Sequence, residues 1–338
     1  MRKGRREKVL IIRMSALGDV AMTLPVIYSV CRAYPDTDFF ILTRPFFSKI
    51  FINAPKNLSV IPADLKTEYK GIGGIWRLLK SLSPYGFTSV ADLHNVLRSW
   101  VISSYYKCKG AAVVIVDKAR SKRRAANKKK IAQPSYIQRY IDVFDKLGFP
   151  IDLDFTSVFS GKTVDTPVVV IHPAVGIAPY ARYFNKTYPP DMMRNVVEIL
   201  TERGVNVYLF GAKGKESEEL DAWDAAYDRC HSLAGKMPIA EELAMMSQMD
   251  VMVSMDSANQ HLASLTGTRV LTVWGSTAPS CGFMAFGQKT EDTIIANLPC
   301  QPCTTAGSEK CPLGTLACLK SINPEYLAER IEKAITGM

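Results

Sequence analysis

The sequence predicts an α/β protein of two doubly wound domains, each built on a parallel sheet. Three observations carry this. Apolar runs of strand length alternate with stretches of helical period. The alternation stops at a breaker-rich stretch, SVFSGKTVDTP at 157–167, and then restarts. A chain of 338 residues also suits two domains of ordinary size.

In chain order, Val9-Leu10-Ile11-Ile12 reads as a buried parallel strand, because it is apolar without alternation. A glycine-bearing turn, Ser15-Ala16-Leu17-Gly18-Asp19, hands it to a helix from about Val20 to Tyr34, which Pro35-Asp36 ends. Phe39 to Leu42, Val60-Ile61, Ser89 to Leu93 and Val113 to Val116 read as further strands, and Tyr136 to Leu147 as a helix stopped by Gly148. The second half opens with a strand at Val168 to His172, then a helix over Asp191 to Arg203 and a strand over Val205 to Phe210. A helix at Ala240 to Met249, a strand at Val251 to Ser254, a helix from Ser257 and a strand at Val270 to Trp274 follow, with a last helix over Pro324 to Ile335. Such alternation places helices on both faces of a parallel sheet, and ligands of these sheets bind at the carboxyl ends of the strands. The expected domains are 1–160 and 161–322, with 323–338 as a terminal helix.

Hydrophobic residues make up 47% of the chain, too many for a disordered protein. No apolar run approaches the roughly 18–20 residues of a transmembrane helix. The N-terminus MRKGRREKVLIIRM is basic, then apolar, but Arg13 breaks it and no small-residue cleavage site follows, so it does not read as a signal peptide. A cytoplasmic chain is expected. The net charge of +10 is concentrated: residues 107–130 hold ten basic residues and one acid, and residues 2–8 hold five basic residues and one acid. The segment SKRRAANKKK therefore either meets an anionic partner or is a solvated loop. A nucleic-acid module would interleave aromatic residues with those charges for stacking. None stands between Lys107 and Lys130, so no nucleic-acid partner is expected. Cys31, Cys108, Cys230 and Cys281 are scattered and read as small buried hydrophobes. Cys300, Cys303, Cys311 and Cys318 form C-x2-C-x7-C-x6-C, which in a reducing compartment is either a structural zinc site or four thiols in a loop.

Four turns could carry chemistry. In RMSALGD at 13–19, Asp19 is either a helix cap or a carboxylate at the strand ends, placed to act as a general base. It matches neither a dinucleotide fingerprint nor a Walker A loop. In MDSANQHLAS at 255–264, Asp256, Ser257 and Ala258 open a helix whose amides and dipole favour phosphate. Asp256 reads equally as a cap there, and His261 as a core histidine. Lys186, ahead of Pro189-Pro190, is either a solvated loop lysine or a cation for a leaving phosphate. Glu216, after the glycines of LFGAKGKE at 209–216, either accepts from ribose hydroxyls or caps the next helix.

In this order and spacing the stretches resemble glycosyltransferase family nine, the ADP-heptose:lipopolysaccharide heptosyltransferases. IIRMSALGDVAMTLP at 11–25, DLHNVLRS at 92–99, YIQRYIDVFDKLG at 136–148, DSANQHLASLTGT at 256–268, VWGSTAP at 273–279 and the cysteine run carry the resemblance over nearly the whole chain. It implies the GT-B architecture: two Rossmann-like domains facing a central cleft, with acceptor on the first and nucleotide-sugar on the second, and a last helix packing back on the first. It implies inverting transfer of a heptose or related sugar from a nucleoside-diphosphate sugar, ADP-heptose in this family, to a lipopolysaccharide core or related glycan. No obligatory metal or other cofactor is implied, beyond the zinc alternative above. Carried over by motif, Asp19 is the general base, and Ser15 and Gly18 shape its loop and count with the donor contacts. Lys186 and the backbone at Asp256, Ser257 and Ala258 hold the diphosphate, with His261 in the same block and Glu216 toward the ribose. Arg98, Lys122, Arg123 and Arg124 meet a phosphorylated, lipid-linked acceptor, and the anionic inner face of the membrane is a peripheral partner. Ala258 stands where a glycine is common in the family, and SCGFMAF at 280–286 departs from its typical members. The alternative is a non-catalytic nucleotide-sugar binder or an epimerase of the same fold.

Overall fold

The computed structural model describes residues 6–119, 129 and 131–337. They form two compact units. The first takes the chain to Ala119 and then Tyr136–Val158; the second takes Phe159 onward with the described residues of 120–135. The break lies within the stretch read as a linker. The excursion of 131–135 into the second unit was not foreseen: there Gln133 N–H donates to Ser280 O at 2.9 Å.

The first unit runs β1 (Lys8–Ile12), α1 (Leu17–Ala21), α2 (Leu24–Ala33), β2 (Asp38–Thr43), α3 (Pro45–Ser48), β3 (Leu58–Pro62), α4 (Gly71–Leu82), β4 (Ser89–Asp92), α5 (Leu97–Cys108), β5 (Ala112–Ile115) and α6 (Tyr136–Lys146). All five strands are parallel, in the order β3-β2-β1-β4-β5. Val9 to Ile12 are fully buried, as a central strand covered on both faces requires. Helices α4 and α5 share one side of the sheet, where Leu78, Leu79, Ile102 and Tyr106 pack with Leu10, Phe40 and Val90. The order turns back at β1, so the loops after β1 and β4 open beside each other at the carboxyl edge.

The second unit runs β6 (Ala174–Ala178), α7 (Pro190–Glu202), β7 (Asn206–Leu209), α8 (Lys215–Asp224), β8 (Cys230–Ser232), α9 (Ile239–Ser247), β9 (Val251–Met255), α10 (Ala258–Leu265), β10 (Val270–Trp274), β11 (Thr293–Ile295), α11 (Ala317–Lys320) and α12 (Pro324–Thr336). Its six strands are also parallel, in the order β11-β10-β9-β6-β7-β8, and this order turns back between β6 and β9.

One expectation is corrected here. The first strand of this unit is β6, not Val168 to His172, and Val169 is 83% exposed. Pro173 has no N–H for a ladder, and Asp250 anchors the start of the strand instead, accepting from Ala174 N–H at 2.8 Å. Gly176 fixes the register, because a Cβ there would lie 2.1 Å from Met252 Sδ. The last helix belongs to the second unit. Asn323 caps α12 by accepting from Glu325 N–H at 2.8 Å. Its stripe of Leu327, Ala328 and Ile331 is spent on the second unit's own core with Val196, Val197 and Leu200 of α7. Arg203, at the end of α7, pairs with Glu325 and Glu332 of α12.

Candidate active site

Among the described residues, each sheet has a cation–carboxylate pair with one deeply buried member where its strand order turns back, the position at which doubly wound folds bind ligands. In the first unit the chain leaves β1 at Arg13, whose side chain is only 3% exposed. Its Nη1 donates to Leu93 O at 2.6 Å, and its Nη2 pairs with Asp19 Oδ2 at 2.7 Å. Asp19 Oδ2 also accepts from Ala16 N–H at 3.1 Å, so the carboxylate does cap α1. Its side chain nevertheless keeps 26% of its surface exposed. Gly18 lies in the first turn of α1, outside the left-handed region, so its special conformational freedom is not used.

The loop after β4 supplies the neighbour. Asp92 is fully buried and its Oδ1 accepts from His94 N–H and Asn95 N–H, both at 2.8 Å. That turn brings His94 Nε2 to 3.1 Å from Ser15 Oγ. Burial, and then the Arg13 guanidinium, push the His94 imidazole down to about 3, and Lys118 at the start of the basic segment adds to this. The ring is therefore neutral at physiological pH. The unfolded chain takes up this proton near pH 6.5 and the folded one only near 3, so stability is lost as pH falls through that window. Melting temperature should decline between those limits, and the decline should be shallower in His94→Gln. Arg98 is half-buried at the second position of α5, at the same carboxyl edge. Lys122, Arg123 and Arg124 lie outside the described residues.

In the second unit Lys186 follows β6 and Asp256 follows β9. Lys186 Nζ meets Asp256 Oδ2 at 2.8 Å, with side chains 13% and 6% exposed. Thr277 Oγ1 donates to the same oxygen at 2.5 Å, and Gln260 Nε2 donates to Oδ1 at 3.0 Å. The Asp256 carboxylate therefore takes three donors within the fold. The helix it was expected to open begins at Ala258, with Ser257 as N-cap accepting from Asn259 N–H at 3.3 Å. His261 is buried in α10, in line with its core reading. Glu216 folds back onto the loop before α8, accepting from Ala212 N–H at 2.8 Å, while Ser217 accepts from the N-cap Gly214 N–H at 3.0 Å.

Asn185 was not singled out from the sequence, and it fixes the place of Lys186. It is 1% exposed and fully bonded. Its Oδ1 accepts from Ser276 Oγ and Ser308 N–H, both at 2.9 Å, and its Nδ2 donates to Ser308 Oγ at 2.8 Å and Lys310 O at 3.2 Å. Its carbonyl accepts from Ser276 N–H at 2.9 Å, and Gly275 admits this approach, since a Cβ there would lie 2.5 Å from that oxygen. The cysteine-rich loop lies over Lys186: a Cβ on Gly307, already at φ +97°, would stand 2.6 Å from Lys186 Cδ.

Among the described residues no three His, Cys, Asp or Glu side chains are placed to hold a metal ion. The surroundings of the loop's cysteines differ. Backbone amides, led by that of Leu316, hold the Cys311 thiol below its ordinary value, while burial pushes Cys318 up to about 11. Cys303 Sγ points at Ser276 O at 3.6 Å.

A family model described as glycosyltransferase family 9 (heptosyltransferase) matches residues 75–313, well over half the chain. The chain belongs to glycosyltransferase family 9. Lipopolysaccharide core heptosyltransferase OpsX of Haemophilus influenzae is 23% identical over 280 residues, 79% of either chain. Lipopolysaccharide heptosyltransferase 1 of Pseudomonas aeruginosa is 24% identical over 308 residues, 88% of this chain and 86% of its own. The solved ADP-heptose lps heptosyltransferase II of E. coli superposes with a TM-score of 0.71 at 18% identity, over 98% of this chain and 99% of its own. This family 9 glycosyltransferase thus has two Rossmann-like sheets of the GT-B class, as the sequence implied.

Proposed function

We propose that this glycosyltransferase moves a heptose from ADP-heptose to a lipopolysaccharide inner-core acceptor, with Asp19 as general base and Lys186 on the leaving diphosphate. The observation that carries the reading is the pairing of one buried cation and one carboxylate at each topological switch point. The sign of the outward-facing group differs between them. In the first unit the buried partner is Arg13 and the carboxylate keeps solvent access, which suits a proton acceptor. In the second the carboxylate is buried and takes three donors, and the lysine has further N–H donors to give, which suits an anionic ligand.

The reaction is a single displacement at the anomeric carbon. The acceptor hydroxyl oxygen forms the new bond, the bond from that carbon to the β-phosphate oxygen breaks, and configuration inverts. The hydroxyl becomes acidic as the bond forms, and Asp19 takes the proton. Arg13 and Ala16 N–H fix the orientation of the carboxylate throughout. Negative charge grows on the diphosphate as it leaves. Lys186, held in advance by Asp256, meets that charge without reorganising, and the amides opening α10 add to it. Ser15 is oriented by His94 beside Asp19, and Glu216 holds the loop after β7 folded at the carboxyl edge of the second sheet. Arg98 and the basic segment containing Lys122, Arg123 and Arg124 recognise acceptor phosphates, and the lipid-linked acceptor brings the enzyme to the inner membrane surface. Among the described residues no helix is long and apolar enough to cross a membrane.

The test is turnover of a nucleotide-sugar panel against purified core acceptor. ADP-heptose should be the best donor; a preference for another donor, or no acceptor product with any, sinks the reading. Asn185 supplies a finer prediction. Asn185→Ala removes the bonds that locate Lys186, and misplacement of about 1 Å costs on the order of 10²-fold. The variant should lose kcat while acceptor KM stays close to wild type. Loss confined to acceptor KM would remove Asn185 from the donor side.

A further inference from the structure

The outer faces of α4 and α5 carry the two exposed tryptophans of the chain. Ile72 and Trp76, one turn apart on α4, are 79% and 63% exposed; Leu97 and Trp100 on α5 are 74% and 43% exposed. The chain has four tryptophans, and the other two, Trp223 and Trp274, are buried at 4% and 0%. Both helices already spend their opposite sides on the sheet, so these residues are surplus to the fold. Contiguous apolar groups of this size mark interaction sites.

The charge around them selects the partner. Neither helix contains a single acid, whereas α4 carries Arg77 and Lys80 and α5 carries Arg98 and Lys107. Lys66 and Lys70 lead into α4. Asp64, the nearest upstream carboxylate but one, is turned inward to the amides of Lys66 and Thr67 at 2.8 and 3.2 Å; Glu68 is exposed. Exposed Trp and Ile bounded by Lys and Arg, with almost no carboxylate, is the composition that seats at the headgroup level of an anionic bilayer. The two helices start at the carboxyl edge of the sheet, after β3 and β4, the edge at which Asp19 follows β1.

We propose that the outer face of α4 and α5 is the membrane-docking surface of this enzyme, with Trp76, Ile72, Leu97 and Trp100 entering the interface of an anionic bilayer and the flanking cations meeting its phosphates. The proposal deepens the reading of a lipid-linked acceptor, and it is separate from the basic segment at 118–130. It places apolar groups, and not charge alone, at the point of attachment.

The experiment uses the full chain and vesicles of phosphatidylethanolamine with phosphatidylglycerol, some carrying brominated acyl chains. Tryptophan emission should be quenched by the brominated vesicles, and quenching should fall in Trp76→Phe/Trp100→Phe. Ile72→Ser/Trp76→Ser should bind the vesicles at least tenfold more weakly, with unchanged melting temperature and unchanged transfer to a deacylated, water-soluble acceptor. Three results would overturn the assignment: vesicle binding by the double variant equal to wild type, binding without quenching, or a lipid-free wild-type dimer that the double variant cannot form. The last would give the face to a second copy of the chain. Failure of wild type to transfer heptose, with vesicle binding intact, would instead sink the proposed function and leave the docking surface standing.

Discussion

Asp19→Asn is expected to lower turnover of heptose transfer by about 10²–10⁴-fold, the usual contribution of a positioned general base, while donor affinity stays nearly unchanged. The substitution suits the site. An asparagine keeps the shape, and its amide oxygen can still accept from Ala16 N–H, so the cap on α1 survives. What is lost is the charge that takes the proton. The charge lost to Arg13 also has a structural effect. Removing one member of a buried pair costs about 3–5 kcal/mol, but Asp19 is 26% exposed and Arg13 retains Leu93 O, so the loss here lies below that range. Melting temperature read alongside turnover separates the two effects. A folded Asp19→Asn protein with wild-type turnover would remove Asp19 from the chemistry.

Lys186→Met should lower kcat by about 10²–10³-fold, the scale seen when one preorganised donor to a developing anion is deleted. It should also weaken donor binding and stability together, because Asp256 is left buried with only Thr277 and Gln260 as donors. Asp256→Asn is the informative companion. It leaves the lysine in place, still located by Asn185, and the amide can still bond Thr277 and Gln260. Its loss of kcat should be clearly smaller than that of Lys186→Met. Equal losses would mean that the lysine serves only to neutralise Asp256 and does not touch the diphosphate.

The two turns that matter were legible because their chemistry is local. A buried strand, a small-residue turn and a helix start within ten residues of one another, so Asp19 and the Asp256–Ala258 turn could be placed at strand ends from the sequence alone. Their roles were less legible. Nothing near Asp256 in sequence shows that Lys186, 70 positions upstream, and Thr277, 21 positions downstream, close on its carboxylate. Arg13 looked like a charge ending a strand, yet it reaches a carbonyl 80 residues away. Asn185 bonds partners 91 to 125 residues distant, and no motif announces such a hub. Periodicity failed where surface and core are both apolar. Val168 to Ile171 and Ala174 to Ala178 read alike as strands, and only the proline between them and the fit of Gly176 against Met252 decide. Helix α5 was passed over for a related reason: Leu97 and Trp100 put hydrophobes on its outer face and blur the 3.6-residue pattern.

Incubating the purified chain with ADP-heptose and a lipopolysaccharide core acceptor, and following acceptor mass, nucleotide and anomeric configuration together, reads donor, acceptor and stereochemistry in one assay. The acceptor should gain a heptose with inverted configuration, and ADP should appear in equal amount. ADP and free heptose with an unchanged acceptor, or an epimerised nucleotide-sugar with no ADP released, would contradict the proposed transfer.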